Sequence, residues 1–197
     1  TAAALADRAN AGTSARVWIA GNRAYVAMFA YDLEAAEGHF RAALSLLDED
    51  RDDDRRLRAL MLGGLGNVLD QRGAFRESIS VQEDAIASMK AVAGPMHPSV
   101  LLLRSNFATT LLGAGELERA RREYLELLQL CEVEGRVPHV VTSLYLNLAE
   151  LERQDHHLDL AESYADKAIA SLGDKRDERR RAIAYSNLAA ILEARGR

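Results

Sequence analysis

LGNVLDQRGAFRESISVQEDAI (residues 65–86) and FATTLLGAGELERARREYLELL (107–128) align on one another without a gap, and Gly73 falls on Gly115. Internal self-similarity at a period of this size is the mark of a stacked repeat, so it is tested before anything else. The frame extends to three more turns, at Tyr31, His156 and Gly196, with spacings of 42, 42, 41 and 40 residues. Around each turn the residue types recur. Eight before it stands a large apolar residue (Leu65, Phe107, Leu148, Leu188), with Arg23 the departure in the first repeat. Seven before it stands a small one every time: Ala24, Gly66, Ala108, Ala149, Ala189. Five after it come Ala36, Ser78, Ala120 and Ala161, and twelve after it Ala43, Ala85, Leu127 and Ala168. Two helices cross closely only where one side is small, because ridges must enter grooves at an interaxial distance of roughly 8–10 Å. Each repeat therefore reads as a helix A, a tight turn and a helix B. One such pair cannot bury its apolar stripe alone, so pairs stack.

The spacing predicts A helices near 14–29, 55–72, 98–114, 138–154 and 177–195, and B helices near 32–47, 75–92, 117–133 and 158–172. Residues 1–12 read as a separate short helix, with the end of a preceding helix B as the other reading. Pro98 and Pro138 suit a first helical turn, where the missing N–H is no loss. Gly94 and Gly173 suit helix ends. The expectation is an all-α chain in which 1–197 form one repeat domain, a right-handed α-α superhelix of about 4.5 hairpins. The units fall near 14–47, 55–92, 98–133 and 138–172, with a final helix at 177–195.

Composition agrees and narrows the function. The chain is 48% hydrophobic with only 3 Pro. A net charge of −5 argues against a general nucleic-acid binder, which needs a basic face to displace counterions from phosphates. No stretch of about 18 uncharged apolar residues is present, so no membrane span is expected. One cysteine, Cys131, forms no internal disulfide, which fits a reducing compartment; the expected location is cytoplasmic. The chain opens on Thr1 without Met and is expected to be a piece of something longer.

The repeat resembles the tetratricopeptide repeat, and its spacing is similar to the long-helix subtype of kinesin light chains. The loop GPMHPSV (94–100) and the following RSNFATTLLGAGELERA (104–120) carry that resemblance, which covers about residues 15–197. The Ala/Arg-rich style, 22 Arg against three Lys, resembles arrays in bacterial regulators, including regions appended to serine/threonine kinases. The resemblance implies a non-enzymatic scaffold that binds protein or peptide on a concave wall lined by helix A, without a cofactor.

On that wall one series recurs nine residues before the turn: Asn22, Asn106, Asn147 and Asn187. The second repeat has Gly64 there and carries Asn67 one turn later. An amide side chain offers a donor and an acceptor, the pair that a peptide main chain needs whatever its sequence. The resemblance implies peptide contact through these residues. The alternative is that they only hold neighbouring helices in register. Small neighbours (Gly21, Gly63, Ser105, Ser186) are expected to keep the groove open, with Leu146 the departure. Asp70, Thr109, Glu150, Arg153 and Glu193 are further groove candidates. Trp18, Tyr25, Met28 and Phe29 offer an aromatic anchor unless residues 1–12 or an upstream repeat cover them.

Catalytic and metal motifs are not recognised. Gly63, Gly64 and Gly66 lie inside a helix without the Lys-Ser/Thr of a phosphate loop. His156 and His157 are adjacent, so they are expected to diverge rather than chelate. The runs DEDRDDDRRLR (48–58) and DKRDERRR (174–181) read as solvated helix starts, the second with a basic contact through Arg179, Arg180 and Arg181 as the lesser reading. No Lys/Arg clamp for a terminal carboxylate is evident, which disfavours chaperone-tail binding. Two rivals stay open: a self-associating or structural spacer module in a larger regulator, and a concealed enzyme.

Overall fold

The computed structural model describes residues 2–48, 52–133, 138–172 and 178–196, and no strand occurs among the described residues. Helices α1 (Ala2–Phe29) and α2 (Leu33–Leu44) flank the first turn, α3 (Asp52–Gln71) and α4 (Phe75–Ala93) the second. Helices α5 (Pro98–Gly113) and α6 (Leu117–Val133) flank the third, α7 (Pro138–Gln154) and α8 (Leu158–Ser171) the fourth, and α9 (Glu178–Ala194) runs into the fifth. All five turn residues have positive φ: Tyr31 60°, Gly73 75°, Gly115 78°, His156 61° and Gly196 73°. The repeat frame thus marks the points where the backbone turns left-handed. The hydrogen bonds explain why. The N–H of Gly73 donates to the Asp70 carbonyl and that of Ala74 to Leu69, a Schellman pair that closes α3. Tyr31 and Asp32, and His156 and His157, repeat this geometry at their own turns.

Helix starts follow local chemistry. Asp32 caps α2 by accepting the Ala35 N–H at 3.1 Å. His97 Nδ1 accepts the Ser99 N–H at 3.2 Å, with Pro98 as the first residue of α5. Gly94 ends α4 at φ 81°, whereas Gly173 lies outside the described residues. One boundary differs from expectation. Residues 2–12 are not a separate helix but the first turns of α1, because Gly12 costs too little helix propensity to break a run rich in alanine. The acidic run after α2 also differs in part. Asp54 is buried and accepts the Asp48 N–H at 3.1 Å, so it braces the start of α3 instead of lying in solvent.

The chain falls into two compact bodies, Thr1–Ala114 and Gly115–Arg197. In the first, α1 pairs with α2 and α3 with α4; each B helix packs on the next A helix, and successive A helices touch. The second repeats this with α6 on α7, the α7–α8 hairpin, α8 on α9, and α7 against α9. Within each body the small residues sit at the α1–α2, α3–α4 and α7–α8 crossings as their spacing demands. Ala24, Ala36, Ala43, Ala85, Ala108, Ala120, Ala149, Ala161 and Ala168 are fully buried, as is Ser78. At the α3–α4 crossing the Ser78 hydroxyl donates to the Gly66 carbonyl at 2.8 Å. Ala189 is exposed, since no helix B among the described residues crosses α9.

The stacking seams obey a second register. The residue five before each turn is buried in Val68, Thr110, Leu151 and Ile191. Thr110 receives a 2.7 Å hydrogen bond from Gln82 of α4, and Ile191 packs with Ala165 of α8. At the rim, position six after one turn pairs with position one before the next. Glu37 meets Arg72, Glu162 meets Arg195, and Arg121 meets Asp155 with the signs reversed. The α4–α5 seam inverts the scheme. Its rim positions are the uncharged Ile79 and Ala114, and its buried pair is the polar Gln82 and Thr110.

Candidate functional site

In the second body, α7 and α9 leave a groove of about 550 Å³ between successive A helices, lined by Ser143, Leu146, Asn147, Glu150, Arg180, Ile183 and Asn187. Two rungs of the asparagine series therefore face one space. They are placed there by helical spacing, since each lies nine residues before its own turn. Asn187 Nδ2 donates to the Leu146 carbonyl at 3.4 Å, so one of its donors already ties α9 to α7. Glu150 is engaged by Arg153 at 2.7 Å and by Gln154 at 2.8 Å. The Arg153 hydrogen bond holds the Glu150 carboxyl below the usual carboxylate range. Leu146 and Ile183 give this polar groove an apolar patch.

The other predicted residues are dispersed. Asn22 is exposed and lines a different groove, against Ala35 and His39 of α2. Asn106 and Asn67 are half-buried on α5 and α3. Asp70 is half-buried; desolvation raises its pKa, only partly offset by a hydrogen bond from Thr110. The exposed Thr109 hydroxyl donates to the Ser105 carbonyl at 3.1 Å. Trp18 and Phe29 are exposed. Tyr25 is not a free anchor, because its ring packs edge-on against buried Phe40 at 5.2 Å and burial raises its hydroxyl pKa.

The small residues beside the ladder are corrected too. Gly21 and Gly63 do not hold a groove open. A β-carbon on Gly21 would lie 2.8 Å from Met61 Sδ, and one on Gly63 2.4 Å from Leu103 Cδ2. These glycines let the next A helix approach. Gly64 instead makes room for Phe40 of the preceding B helix. Sequence reading missed Ser143 and Ile183, and had Arg180 only as the lesser reading of its basic run. The signal was available: position thirteen before the turn holds Trp18, Leu102 and Ile183, all exposed apolar residues on helix A.

Glu152, Asp155 and His157 bring their ligand atoms within 4.8 Å of one another. The adjacent His156 and His157 are both exposed, and only His157 joins this cluster. Its centre already holds a cation. The Arg121 guanidinium donates to both Glu152 oxygens at 2.8 and 3.1 Å and also to Asp155. His157 Nδ1 lies 2.9 Å from Glu152. The carboxylate lone pairs that a metal needs are spent on a guanidinium, so the cluster reads as a seam brace between α6 and α7. No described helix is long and apolar enough to cross a membrane. Of the basic run at 174–181, residues 174–177 lie outside the described residues, as does the side chain of Arg179; Arg180 reaches the α7–α9 groove.

Comparison with known proteins agrees with this geometry. Residues 58–99, spanning α3, α4 and the entry to α5, match the family model of the tetratricopeptide repeat. The chain is 32% identical over 103 residues to the TPR repeat-containing thioredoxin TTL4 of Arabidopsis thaliana. It is 30% identical over 104 residues to the inactive TPR repeat-containing thioredoxin TTL3 of the same plant. Those matches cover 52% and 53% of this chain but only 14% of each relative, so the chain spans about a seventh of their length. Among solved structures, BtubC (BKLC) from P. vanneervenii superposes with a TM-score of 0.74 at 22% identity, over 96% of this chain and 84% of that one. A Podosopora anserina protein described as kinesin light chain with nearly identical TPR-like repeats gives 0.74 at 14% identity, over 92% and 87%. The apo form of RapI gives 0.71 at 12%, over 91% and 69%. At such identities these structures speak for the fold alone. Five left-handed turns in one frame, small residues at the crossings inside each body and the matched repeat at 58–99 give this chain a tetratricopeptide-like all-α repeat fold, with a tetratricopeptide repeat at 58–99.

Proposed function

We propose that this domain is a protein-interaction scaffold, not a catalyst, and that it holds an extended segment of a partner along its A helices. The observation that supports this reading is the α7–α9 groove, where Asn147 and Asn187 from successive repeats line one space with Leu146 and Ile183 beside them. An asparagine amide matches a peptide main chain in both directions of hydrogen bonding, and the apolar pair offers a seat for one side chain. The fitting ligand is an extended peptide with an apolar residue, and it needs no cofactor. A purely structural role draws support from Asn187, whose amide is already bonded to the Leu146 carbonyl. Asn147 is therefore the deciding residue.

The test selects peptides from a displayed random library on the intact chain and measures their affinity by fluorescence anisotropy. Asn147→Ala is expected to weaken binding at least tenfold with an unchanged melting temperature. Asn187→Ala is expected to lower both. Unchanged affinity in Asn147→Ala refutes the groove reading. Light scattering on the same samples tests the self-association rival: a concentration-dependent dimer that excludes the peptide would replace it.

A further inference from the structure

The α4–α5 seam of the first body holds a polar relay with one end left open. The Ser78 hydroxyl of α4 donates to the Gly66 carbonyl at 2.8 Å. The Thr110 hydroxyl of α5 donates to the Asp70 carboxylate of α3. Both hydroxyl hydrogens are thus spent, so toward Gln82 both oxygens can only accept. Gln82 Nε2 donates to them, at 2.9 Å to Ser78 and 2.7 Å to Thr110. This fixes the amide's orientation, since a flip would set its oxygen against two oxygens with no hydrogen to give. Gln82 Oε1, on a residue only 1% exposed, therefore meets no donor among the described residues. A buried acceptor without a donor carries its desolvation cost for as long as the seam is shut. Asp70, at the far end of the relay, is half-buried, and that burial raises its pKa. The α2–α3 seam of the same body is built the other way. Phe40 and Val68 are fully buried in one apolar cluster, and Glu37 meets Arg72 at the rim.

We propose that the α4–α5 seam is a hinge built into this body, the place where α5 parts from α4 while α1 to α4 stay packed. Parting gives water to Gln82 Oε1 and to Asp70, the two groups that closure dehydrates. Opening here therefore regains hydrogen bonds as it loses contacts. Opening at α2–α3 would break an ion pair and wet apolar surface, with no such return. The rim adds to the contrast, because Ile79 and Ala114 offer no charge pair to hold α5 shut. Asn67 of α3 and Asn106 of α5 stand on the two sides of the parting, so its opening changes the spacing of the A-helix wall in this body.

Native-state hydrogen exchange on the full chain, read peptide by peptide in mass spectrometry, tests this. Amides of α5 are expected to exchange at least tenfold faster than those of α3 and α4. Two single variants then delete the same 2.7 Å hydrogen bond with opposite expected effects. Thr110→Val strands a Gln82 N–H in addition to the carbonyl, and is expected to speed α5 exchange several-fold. Gln82→Met removes the amide at nearly constant volume and strands no donor, since Ser78 and Thr110 already donate elsewhere. It is expected to slow α5 exchange several-fold and leave α2 and α3 unchanged. Were the bond merely a clasp, both variants would speed exchange, so faster or equal α5 exchange in a folded Gln82→Met overturns the hinge. Amides of α5 as slow as those of α4 in the parent overturn it as well. Ile79→Glu with Ala114→Arg copies the Glu37–Arg72 rim onto this seam and is expected to slow α5 exchange at least twofold. Should Gln82→Met fail to fold, parent-rate exchange in this rim variant overturns the proposal.

Discussion

Gly64→Ala adds a single methyl group in the middle of α3, and the structure predicts its sign against propensity. In an open helix, glycine to alanine stabilises by roughly 0.5–1 kcal/mol. At Gly64 the new β-carbon would lie 2.3 Å from Phe40 Cζ and 2.4 Å from Cε1. Phe40 is fully buried and already engaged by Tyr25, so its ring has nowhere to retreat. Overpacking of this kind costs about 1–3 kcal/mol, which exceeds the propensity gain and leaves a net loss of roughly 1–2 kcal/mol. For a chain of this size that lowers the melting temperature by roughly 2–8 °C. Gly38→Ala in α2 is the control, because its β-carbon would meet nothing within 4 Å. It should raise the melting temperature by about 1–4 °C. Thermal denaturation followed by circular dichroism separates the two by sign. Adding Phe40→Leu removes the ring edge, and the double variant should lose about 1 kcal/mol less than the sum of the singles. If Gly64→Ala melts higher than the parent, or the double variant is additive, the proposed contact between α3 and α2 is wrong.

Tyr31→Gly and His156→Gly should each stabilise by about 1 kcal/mol in urea titration, because both residues sit at φ near 60° where the other three turns use glycine. The Arg121 seam should be costly to open. Arg121→Ala leaves the buried Glu152 carboxylate without its two-oxygen partner and should destabilise by about 3 kcal/mol. The same contacts set an acid limit. Hydrogen bonds from Arg121 and Arg153 hold Asp155 and Glu150 below the ordinary carboxylate range. Groups depressed in the folded state stabilise above their unfolded pKa and cease to do so as pH falls through the folded value. The melting temperature should thus be flat from about pH 7 to 5 and fall below about pH 4, less steeply in Arg121→Ala. Asp70, raised by burial, acts in the opposite sense and softens the fall.

Much of the fold was legible in the residue order because a helical hairpin is a local object. Its turn needs a residue that tolerates positive φ, its crossing needs a small one, and both constraints lie within about 20 residues of chain. Gly73, Gly115, Ala36 and Ala120 therefore announced their positions. Tyr31 and His156 were found only through the frame, since neither is a turn residue by type. The seams were harder to read. Glu37–Arg72, Arg121–Asp155 and Glu162–Arg195 join residues more than 30 positions apart, and their sign changes along the chain.

What residue order determined by itself was the period, the two-helix unit and the crossing residues, because each is set by backbone conformation or by volume at one position. What only the tertiary structure decided was the direction each side chain takes once helices stack. The asparagine series looked like one wall in sequence. Stacking sent Asn147 and Asn187 into one groove and Asn22 into another, and turned the glycines of α1 and α3 toward their neighbours. Equivalent positions in a repeat share an environment only when a neighbouring helix supplies it, and that neighbour is a matter of packing, not of spacing.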